Sequence, residues 1–300
     1  MTDTSRPSER ATSRNRRPAD IDDVRAFWEQ HPLWSGESLH PVGSKAFFEE
    51  HRGVYLKDCF GGRFDDRFLP PPRAGGQRHA ILDLGCGIGF WTAEFAMRGL
   101  SGLVAADLTE GALELTAARL QLVGGTAELR CENAEELHFA DESFDHVNCQ
   151  GVIHHTPNPE RAVAEIARIL RPGGTASISV YYRSPLLRVW GQLGWVGRLV
   201  SRMGGGMRGR GRESMLLESD PDELVRLYDG SDNPIGVCFS RRALRTLLEP
   251  ALQVDEMFLH YFPARALPFP LPRSVAQVLD RRLGLMLYAS VHRPANQEPA

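Results

Sequence analysis

Short apolar runs alternate with stretches of helical periodicity through the middle of the chain. The runs are "HAILDLG", "LVAAD", "AELRCENA", "FDHVNCQ" and "TASISVYY". The helical patterns lie near residues 89–98, 110–122 and 159–170. Strands that alternate with amphipathic helices in this way predict a doubly wound parallel sheet, because each helix carries the chain back across a face of the sheet.

The flanking segments break this alternation. Residues 21–68 are helical and aromatic in pattern, and the Pro/Gly-rich "LPPPRAGG" after them predicts a linker. After residue 182 the pattern changes to helices and loops, and a helix near 240–249 and strands near 252–262 and 283–291 follow. Two late strands would complete the sheet as an antiparallel edge. The pattern therefore predicts an α/β fold with a mostly parallel seven-stranded sheet and a helical insertion after strand 5.

The same pattern divides the chain into six parts. We expect a disordered tail (1–20), a helical N-terminal cap with its linker (21–76), a central core (77–182), a helical insertion (183–235), the C-terminal part of the core sheet (236–293) and a short tail (294–300). A transit peptide is the alternative for the first 20 residues, although its three acidic residues disfavour that reading.

Composition narrows the class of protein. A chain of 300 residues with 42% hydrophobic content can bury a full core, and a formal net charge of −3 gives no overall attraction to nucleic acid or anionic membranes. The five cysteines form no CxxC pair, which is typical of a reduced cytoplasm without structural zinc. We therefore expect a cytoplasmic protein that has no bound metal and no nucleic-acid partner.

The segment "DLGCGIGFW", residues 83–91, carries the first candidate chemistry. Its glycines fall at 85, 87 and 89, whereas the dinucleotide fingerprint G-x-G-x-x-G would need one at 90, which is Phe. Glycines between a strand and a helix let a ligand approach the backbone. Asp83 precedes them, and its carboxylate would repel a diphosphate but attract an ammonium group.

A second carboxylate is expected where the next strand ends, because two hydroxyls of a ribose are bound there in such sheets. Asp107 ends "LVAAD", 24 positions after Asp83. The glycines and the two carboxylates together point to S-adenosylmethionine, which carries an amino group, a sulfonium and a ribose.

Three motifs then show a resemblance to a known family. They are "ILDLGCGIGFWT", "AADLTEGAL" and "ENAEELHFADESFDHVNCQGVIHHTPNPERAVAEIARILRPGG". The chain resembles the class I S-adenosylmethionine-dependent methyltransferases over residues 79 to about 182, and specifically the small-molecule group similar to the ubiquinone/menaquinone-type and "type 11" enzymes. The resemblance implies a Rossmann-like fold in which residues 77–182 bind S-adenosyl-L-methionine.

The resemblance also implies a set of cofactor-binding residues. The methionine part would meet Asp83, Gly85, Cys86, Gly87, Gly89 and Gln150, the ribose Asp107, and the adenine Leu108, Asn133 and Ala134. Two positions depart from the family pattern. Asn133 stands where many relatives have Asp and can still accept a hydrogen bond, and His138 stands where many have Pro.

Methyl transfer from a sulfonium mainly requires alignment of the acceptor, which can supply about 7–11 kcal/mol of the barrier. A hydroxyl or acidic carbon would also need a base, and His154 and His155, just past Gln150, are the candidates. The alternative is that one of them only packs or hydrogen-bonds the loop. Tyr181, Tyr182 and His51 are weaker candidates.

The expected acceptor is a small molecule. The place where amino-methylating DNA and RNA enzymes resemble one another in an Asn/Asp-Pro-Pro-aromatic motif reads "QGVI" here, and the chain contains no Pro-Cys pair of the cytosine C5 type. A non-catalytic scaffold that binds the cofactor remains an alternative, because fold alone does not settle function. A nicotinamide-dependent oxidoreductase is disfavoured by the glycine spacing.

The insertion has a basic, aromatic segment. Residues 183–212 contain seven arginines (183, 188, 198, 202, 208, 210 and 212) and no acidic residue. This composition is compatible with a helix that has a solvated charged face, a lid over an apolar or anionic acceptor, or a contact with a membrane surface. Its position after strand 5 favours the lid, because that strand ends at the cofactor edge of the sheet.

Overall fold

The structure is a computed structural model that describes residues 18–62, 64–71, 79–207 and 210–295. Most of the tail expected over 1–20 lies outside these ranges, as do residues 72–76 of the expected linker and the last five residues of the chain. Arg208 and Gly209 of the insertion are outside them as well.

Eight strands of the described residues form one mixed sheet. They are β1 (Ile81–Leu84), β2 (Leu103–Asp107), β3 (Glu128–Cys131), β4 (Phe144–Gln150), β5 (Leu170–Tyr182), β6 (Cys238–Phe239), β7 (Gln253–His260) and β8 (Met286–His292). The order is β3-β2-β1-β4-β5-β8-β7, and the two-residue β6 pairs with the end of β5. The predicted mostly parallel sheet is confirmed, with seven strands in its main order, β6 as an eighth, and β8 antiparallel to both of its neighbours. The sequence pattern did not indicate β6.

The described helices cover both faces and one edge of this sheet. They are α1 (Ile21–Gln30), α2 (Lys45–Phe60), α3 (Phe90–Met97), α4 (Glu110–Val123), α5 (Pro159–Ile169), α6 (Pro185–Arg188), α7 (Gly194–Arg202), α8 (Pro221–Asp229), α9 (Arg241–Leu248) and α10 (Arg273–Leu283). The sequence analysis did not predict α10. None of these helices has the length and apolar character that crossing a bilayer takes.

Neighbouring residues of β1 face two different cores. Leu82 and Leu84 pack in a cluster with residues of α5 and α9, whereas Ile81 packs in a second cluster with the aromatic side chains of α2 and α3. All three are at most 1% exposed. A parallel strand covered on both faces reads as a continuous apolar run, and this explains why β1 was visible in the sequence.

The parallel direction of the first five strands brings their carboxyl ends to one edge of the sheet. The N-terminal helices and the insertion cover this edge. Trp28 of α1 lies 5.3 Å, ring to ring, from His155 in the loop after β4, and Arg210 of the insertion donates a hydrogen bond to the carbonyl of His31. The N-terminal segment, the loop after β4 and the insertion therefore meet at the place where the site residues were expected.

Candidate active site

Two adjoining cavities lie at the carboxyl edge of the sheet. The first extends from the glycine turn after β1 to the ends of β2 and β3, and the second lies beneath the N-terminal helices and the insertion. The two share part of their walls, including Trp28, Gln150 and His155. These shared residues can therefore contact a ligand in either cavity.

Most of the residues expected to hold the cofactor line the first cavity. They are Gly85, Gly87, Asp107, Leu108, Asn133, Ala134 and Gln150. Asp83, Cys86 and Gly89 are not among its lining residues. The structure therefore brings together seven of the ten expected positions and places three behind the wall.

The three glycines of the turn have positive φ but different surroundings. A Cβ at Gly85 would lie 2.2 Å from Cγ2 of Val152, and one at Gly89 would lie 2.9 Å from Cα of Thr116. A Cβ at Gly87 would meet nothing within 4 Å. Packing excludes a side chain at the first two positions, whereas Gly87 presents bare backbone to the cavity.

Asp107 holds the glycine turn from the end of β2. Its Oδ2 accepts the N–H of Gly87 at 2.9 Å, and its Oδ1 accepts the N–H and hydroxyl of Thr109 at 3.0 and 2.9 Å. Burial raises the pKa of this carboxyl group, while the bond from Gly87 lowers it. The carboxylate is thus fixed in orientation and remains part of the cavity wall, as a ribose site requires.

Asp83 is only 2% exposed and lies behind the turn. It accepts hydrogen bonds from the Thr92 hydroxyl at 2.5 Å and from the Asn148 amide at 2.8 Å. Thr92 lies on α3, which follows β1 in the chain, and Asn148 lies on β4, which pairs with β1. The carboxylate of Asp83 therefore links α3 and β4. The sequence analysis expected Asp83 to contact the amino group of the ligand directly. In this structure Asp83 is not among the residues that line the cavity.

Asp83→Asn is expected to stabilise the protein near neutral pH. Burial raises the pKa of Asp83 to about 6 from its usual 3.8, so its stabilising contribution is complete below about pH 3.8 and is lost as the pH rises through about 6. The charged form then costs about 3 kcal/mol at pH 7, which the isosteric amide avoids. Urea unfolding at about pH 4 and 7 measures the effect; a variant with no pH-dependent difference from the wild type would contradict it.

The part of the first cavity that follows β3 contains a carboxylate that the sequence analysis missed. Glu132 follows β3, lines the cavity and is 5% exposed. Its Oε2 is 3.0 Å from both the backbone nitrogen and the ring Nδ1 of His138. Proline has no N–H, so the departure from the family pattern at this position supplies the donor that anchors Glu132.

Gln150 ends β4 between the two cavities. Its amide nitrogen donates to Oδ1 of Asn148 at 2.9 Å and to the hydroxyl of Ser177 at 2.8 Å. Its Oε1 is buried and has no hydrogen-bond partner among the described residues. Buried polar atoms are normally paired, so an acceptor without a donor at this point suits a ligand that carries an amino group.

The second cavity is lined by many aromatic side chains and is partly open to solvent. The aromatic residues in its wall include Trp34, Tyr55, Tyr181, Tyr228, Tyr261 and Tyr288. His51 and Tyr181, which were weak candidates in the sequence, line this cavity, whereas Tyr182 lines neither cavity.

A chain of ion pairs ties together the segments that enclose the second cavity. Arg265, from the loop after β7, lies 2.6 Å from Asp58 of α2 and 3.0 Å from Glu37. Glu37 also lies 3.0 Å from Arg212 of the insertion, whose side chain is 2% exposed. The sequence analysis named neither acidic residue, because no local pattern distinguishes them from surface charges.

His154 and His155 both reach the second cavity, and both are buried. Burial, reinforced by His155, holds the pKa of His154 well below its usual range, and its Nδ1 has no hydrogen-bond partner among the described residues. His155 also lines the first cavity. Its Nδ1 is 2.6 Å from the carbonyl oxygen of Ile235, and its Nε2 is 3.3 Å from Oδ2 of Asp229.

The two halves of the insertion differ in their relation to the site. Arg210, Tyr228 and Asp229 line the second cavity, whereas no described residue of 183–207 does. The first half instead exposes apolar side chains, including Trp195 and Leu199 of α7. The part of the expected lid that contacts the second cavity is therefore its C-terminal half.

Comparisons with known proteins bear on the identity of this site. A family model described as "Methyltransferase domain" matches residues 82–178. The chain is 30% identical over 197 residues to the ubiquinone biosynthesis O-methyltransferase of Alkalilimnicola ehrlichii. This alignment covers 65% of this chain and 70% of that protein. It is 35% identical over 120 residues to the biotin biosynthesis bifunctional protein BioHC of Cellvibrio japonicus. That match covers 39% of this chain but only 23% of the longer relative.

A solved structure is similar in fold. It belongs to the complex between the Trm112 methyltransferase activator of Haloferax volcanii and a methyltransferase. The TM-score is 0.54 at 18% identity, and the alignment covers 84% of this chain and 96% of that chain. At this identity the similarity supports the Rossmann-like fold alone.

Proposed function

The chain belongs to the class I S-adenosylmethionine-dependent methyltransferases of the type 11 group, and on this premise we propose that it methylates a small molecule held in the second cavity. The observation that carries the proposal is the wall shared by the two cavities, in which Gln150 and His155 contact both. A cofactor in the first cavity and an acceptor in the second would meet at this wall. Neither cavity alone would bring two reactants together.

The lining of the first cavity fits S-adenosylmethionine part by part. Asp107 would bind the ribose hydroxyls, and Leu108, Asn133 and Ala134 would surround the adenine. The bare backbone at Gly87 leaves room for the methionine part, and the unpartnered Oε1 of Gln150 would accept a hydrogen bond from its amino group. When bound, the cofactor supplies an electrophilic methyl group.

The residues of the second cavity would orient the acceptor and exclude water. The aromatic walls provide apolar contact area, and the ion pairs of Arg265 hold the N-terminal segment and α2 over the site. Alignment of this kind can supply about 7–11 kcal/mol of the barrier to displacement. No covalent bond between the protein and the methyl group is required.

This function can be tested by incubating the protein with S-adenosylmethionine labelled in its methyl group and a metabolite extract of the organism that encodes the protein. We expect label from the methyl group to appear in a small-molecule fraction when the protein is present. Cofactor binding by calorimetry without transfer to any fraction would instead support the non-catalytic scaffold, and binding of NADH in place of S-adenosylmethionine would support the oxidoreductase.

We further propose a peripheral contact between α7 and an anionic membrane surface. Trp195, Leu199 and Met203 are 49 to 59% exposed and follow one another at intervals of four residues along α7 and its C-terminal cap. Arg198 and Arg202 are exposed beside them, and no acidic residue occurs over 183–212. Exposed apolar side chains bordered by arginines are typical of helices that lie in a lipid headgroup region.

Sedimentation with vesicles of phosphatidylglycerol or phosphatidylcholine measures this contact. We expect the wild type to bind the anionic vesicles preferentially, and the triple variant Trp195→Ser, Leu199→Ser, Met203→Ser to lose that binding. Val275 and Val278 of α10 are also exposed, so Val275→Ser with Val278→Ser is the control. If the wild-type protein sediments with neither type of vesicle, the proposed membrane contact is wrong.

A further inference from the structure

Asp229 connects the insertion to His155, one of the two expected catalytic histidines. It is the last residue of α8, it is 7% exposed, and it lines the second cavity. Its Oδ2 accepts a hydrogen bond from the Tyr181 hydroxyl at 2.7 Å and lies 3.3 Å from Nε2 of His155. One carboxylate therefore joins the insertion, β5 and the loop after β4 at the acceptor site.

The hydrogen bonds of His155 determine where a proton can be held. A carbonyl oxygen only accepts hydrogen bonds, so Nδ1, at 2.6 Å from the oxygen of Ile235, carries a hydrogen. Nε2 then faces Oδ2 of Asp229, and without a proton between them two lone pairs would oppose each other. The contact is therefore a place where one additional proton is favourable.

This arrangement changes the part that His155 can play. Both ring nitrogens have partners, so the imidazole has no free nitrogen to offer to an acceptor. The carboxylate of Asp229 is the member of the pair through which a proton from the second cavity can arrive. Nε2 of His155, which faces Oδ2 of Asp229, then shares that proton with the carboxylate.

The charges around the second cavity indicate the form in which the acceptor arrives. Glu37 and Asp58 are each within ion-pair distance of an arginine. Arg210 interacts electrostatically with Asp229, and burial lowers the pKa of Arg210. With each carboxylate matched by a cationic or hydrogen-bonding partner, the wall suits a neutral acceptor. A neutral hydroxyl group, with a pKa of about 10 if it resembles that of tyrosine, must lose its proton during methylation.

We propose that Asp229 receives the proton of an acceptor hydroxyl group, so that the enzyme is an O-methyltransferase whose base comes from the insertion. The inference rests on the proposed function. In the step, the hydroxyl oxygen bonds to the methyl carbon, the bond between that carbon and sulfur breaks with its electron pair on sulfur, and the hydroxyl proton passes to Asp229. His155 and Tyr181 position the carboxylate and stabilise its two protonation states.

Other titratable side chains share the wall of the second cavity with Asp229. They include His154 after β4, Tyr181 on β5, Arg210 in the insertion, Tyr228 on α8 and Tyr261 after β7. Burial lowers the pKa of His154 far below neutrality and raises those of Tyr181 and Tyr261 above their usual value. A pH limb near neutrality that Asp229→Asn removes would therefore not come from His154, Tyr181 or Tyr261.

Asp229→Asn tests the proposal with the extract fraction that the wild type labels. We expect kcat to fall by about a hundredfold or more and its acidic pH limb to disappear. Calorimetry should give an unchanged affinity for S-adenosylmethionine, because Asp229 does not line the first cavity. Asp229→Glu, which keeps a carboxylate, should recover part of the rate and the pH limb. Asp232→Asn, an exposed position three residues on, is the matched control.

Four outcomes would overturn the proposal. Asp229→Asn could keep the full rate and pH profile, or it could lose cofactor affinity together with rate, which would mean a structural role. The product could carry the label on nitrogen or carbon, as mass spectrometry and NMR would show, and this would exclude the hydroxyl acceptor. A wild type that labels no fraction would contradict the proposed function itself, before any variant is compared.

Discussion

Gly87→Val is expected to abolish binding of S-adenosylmethionine and to leave the chain folded. The Cβ position at residue 87 is open to the first cavity, so the valine side chain would fill space that the ligand needs. The φ of +53° adds strain of about 1–2 kcal/mol, more for a β-branched side chain. This cost is small beside a typical stability of about 5–15 kcal/mol. Calorimetry with the cofactor and thermal unfolding measure the two effects.

Gly99→Val is the matched control for this variant. Gly99 follows α3, has a φ of +75°, and its Cβ would also meet nothing within 4 Å. It lines neither cavity, so the control carries the backbone strain without the steric block. Wild-type affinity in Gly87→Val, or equal loss of affinity in both variants, would mean that the glycine turn does not contact the cofactor.

Glu37→Ala is expected to lower the free energy of unfolding by about 3–5 kcal/mol, the cost of breaking a buried ion pair. The substitution removes the carboxylate between Arg212 and Arg265, whose side chains are 2% and 30% exposed. Arg265 retains Asp58, so the larger penalty falls on Arg212. Because the insertion would lose a contact with the N-terminal segment, methyl transfer should fall as well. Urea unfolding and the labelled-cofactor assay measure both.

Glu249→Ala serves as the control for the effect of burial. Glu249 pairs with Arg245 at 2.7 Å, but the two side chains are 48% and 49% exposed. An exposed pair of this kind contributes about 0–1 kcal/mol. If the two variants lose the same stability, the ion pairs over the second cavity do not hold the insertion in place.

The sequence alone determined the sheet and much of the first cavity. The strands β1 and β2 appear as apolar runs because both of their faces are buried, and the parallel direction of the strands follows from the helices between them. Parallel strands end at a common edge, so Gly87, Asp107 and Gln150 could be expected to meet before any coordinates were known. Each of these inferences uses the order of strands and helices along the chain, which local sequence patterns reveal.

Some positions within that site could not be read from the same patterns. Asp83 near the end of β1 and Gly87 in the turn after it are four residues apart, yet the carboxylate points to Thr92 and Asn148 while the glycine faces the cavity. Which side of a turn a residue faces depends on the backbone angles and on the side chains packed behind it. Helix α10 escaped prediction as well, because its short pattern follows a proline-rich loop.

Only the tertiary structure decided the second cavity. Arg265 and Glu37 are 228 positions apart, and Asp229 is 48 positions from Tyr181 and 74 from His155. Periodicity and capping report interactions within a few residues, so they carry no information about such pairs. Asp229, the ion pairs and the aromatic wall come together where separate segments pack over one edge of the sheet. The first cavity could therefore be predicted in large part from local sequence, whereas the second cavity forms only because distant segments fold against each other.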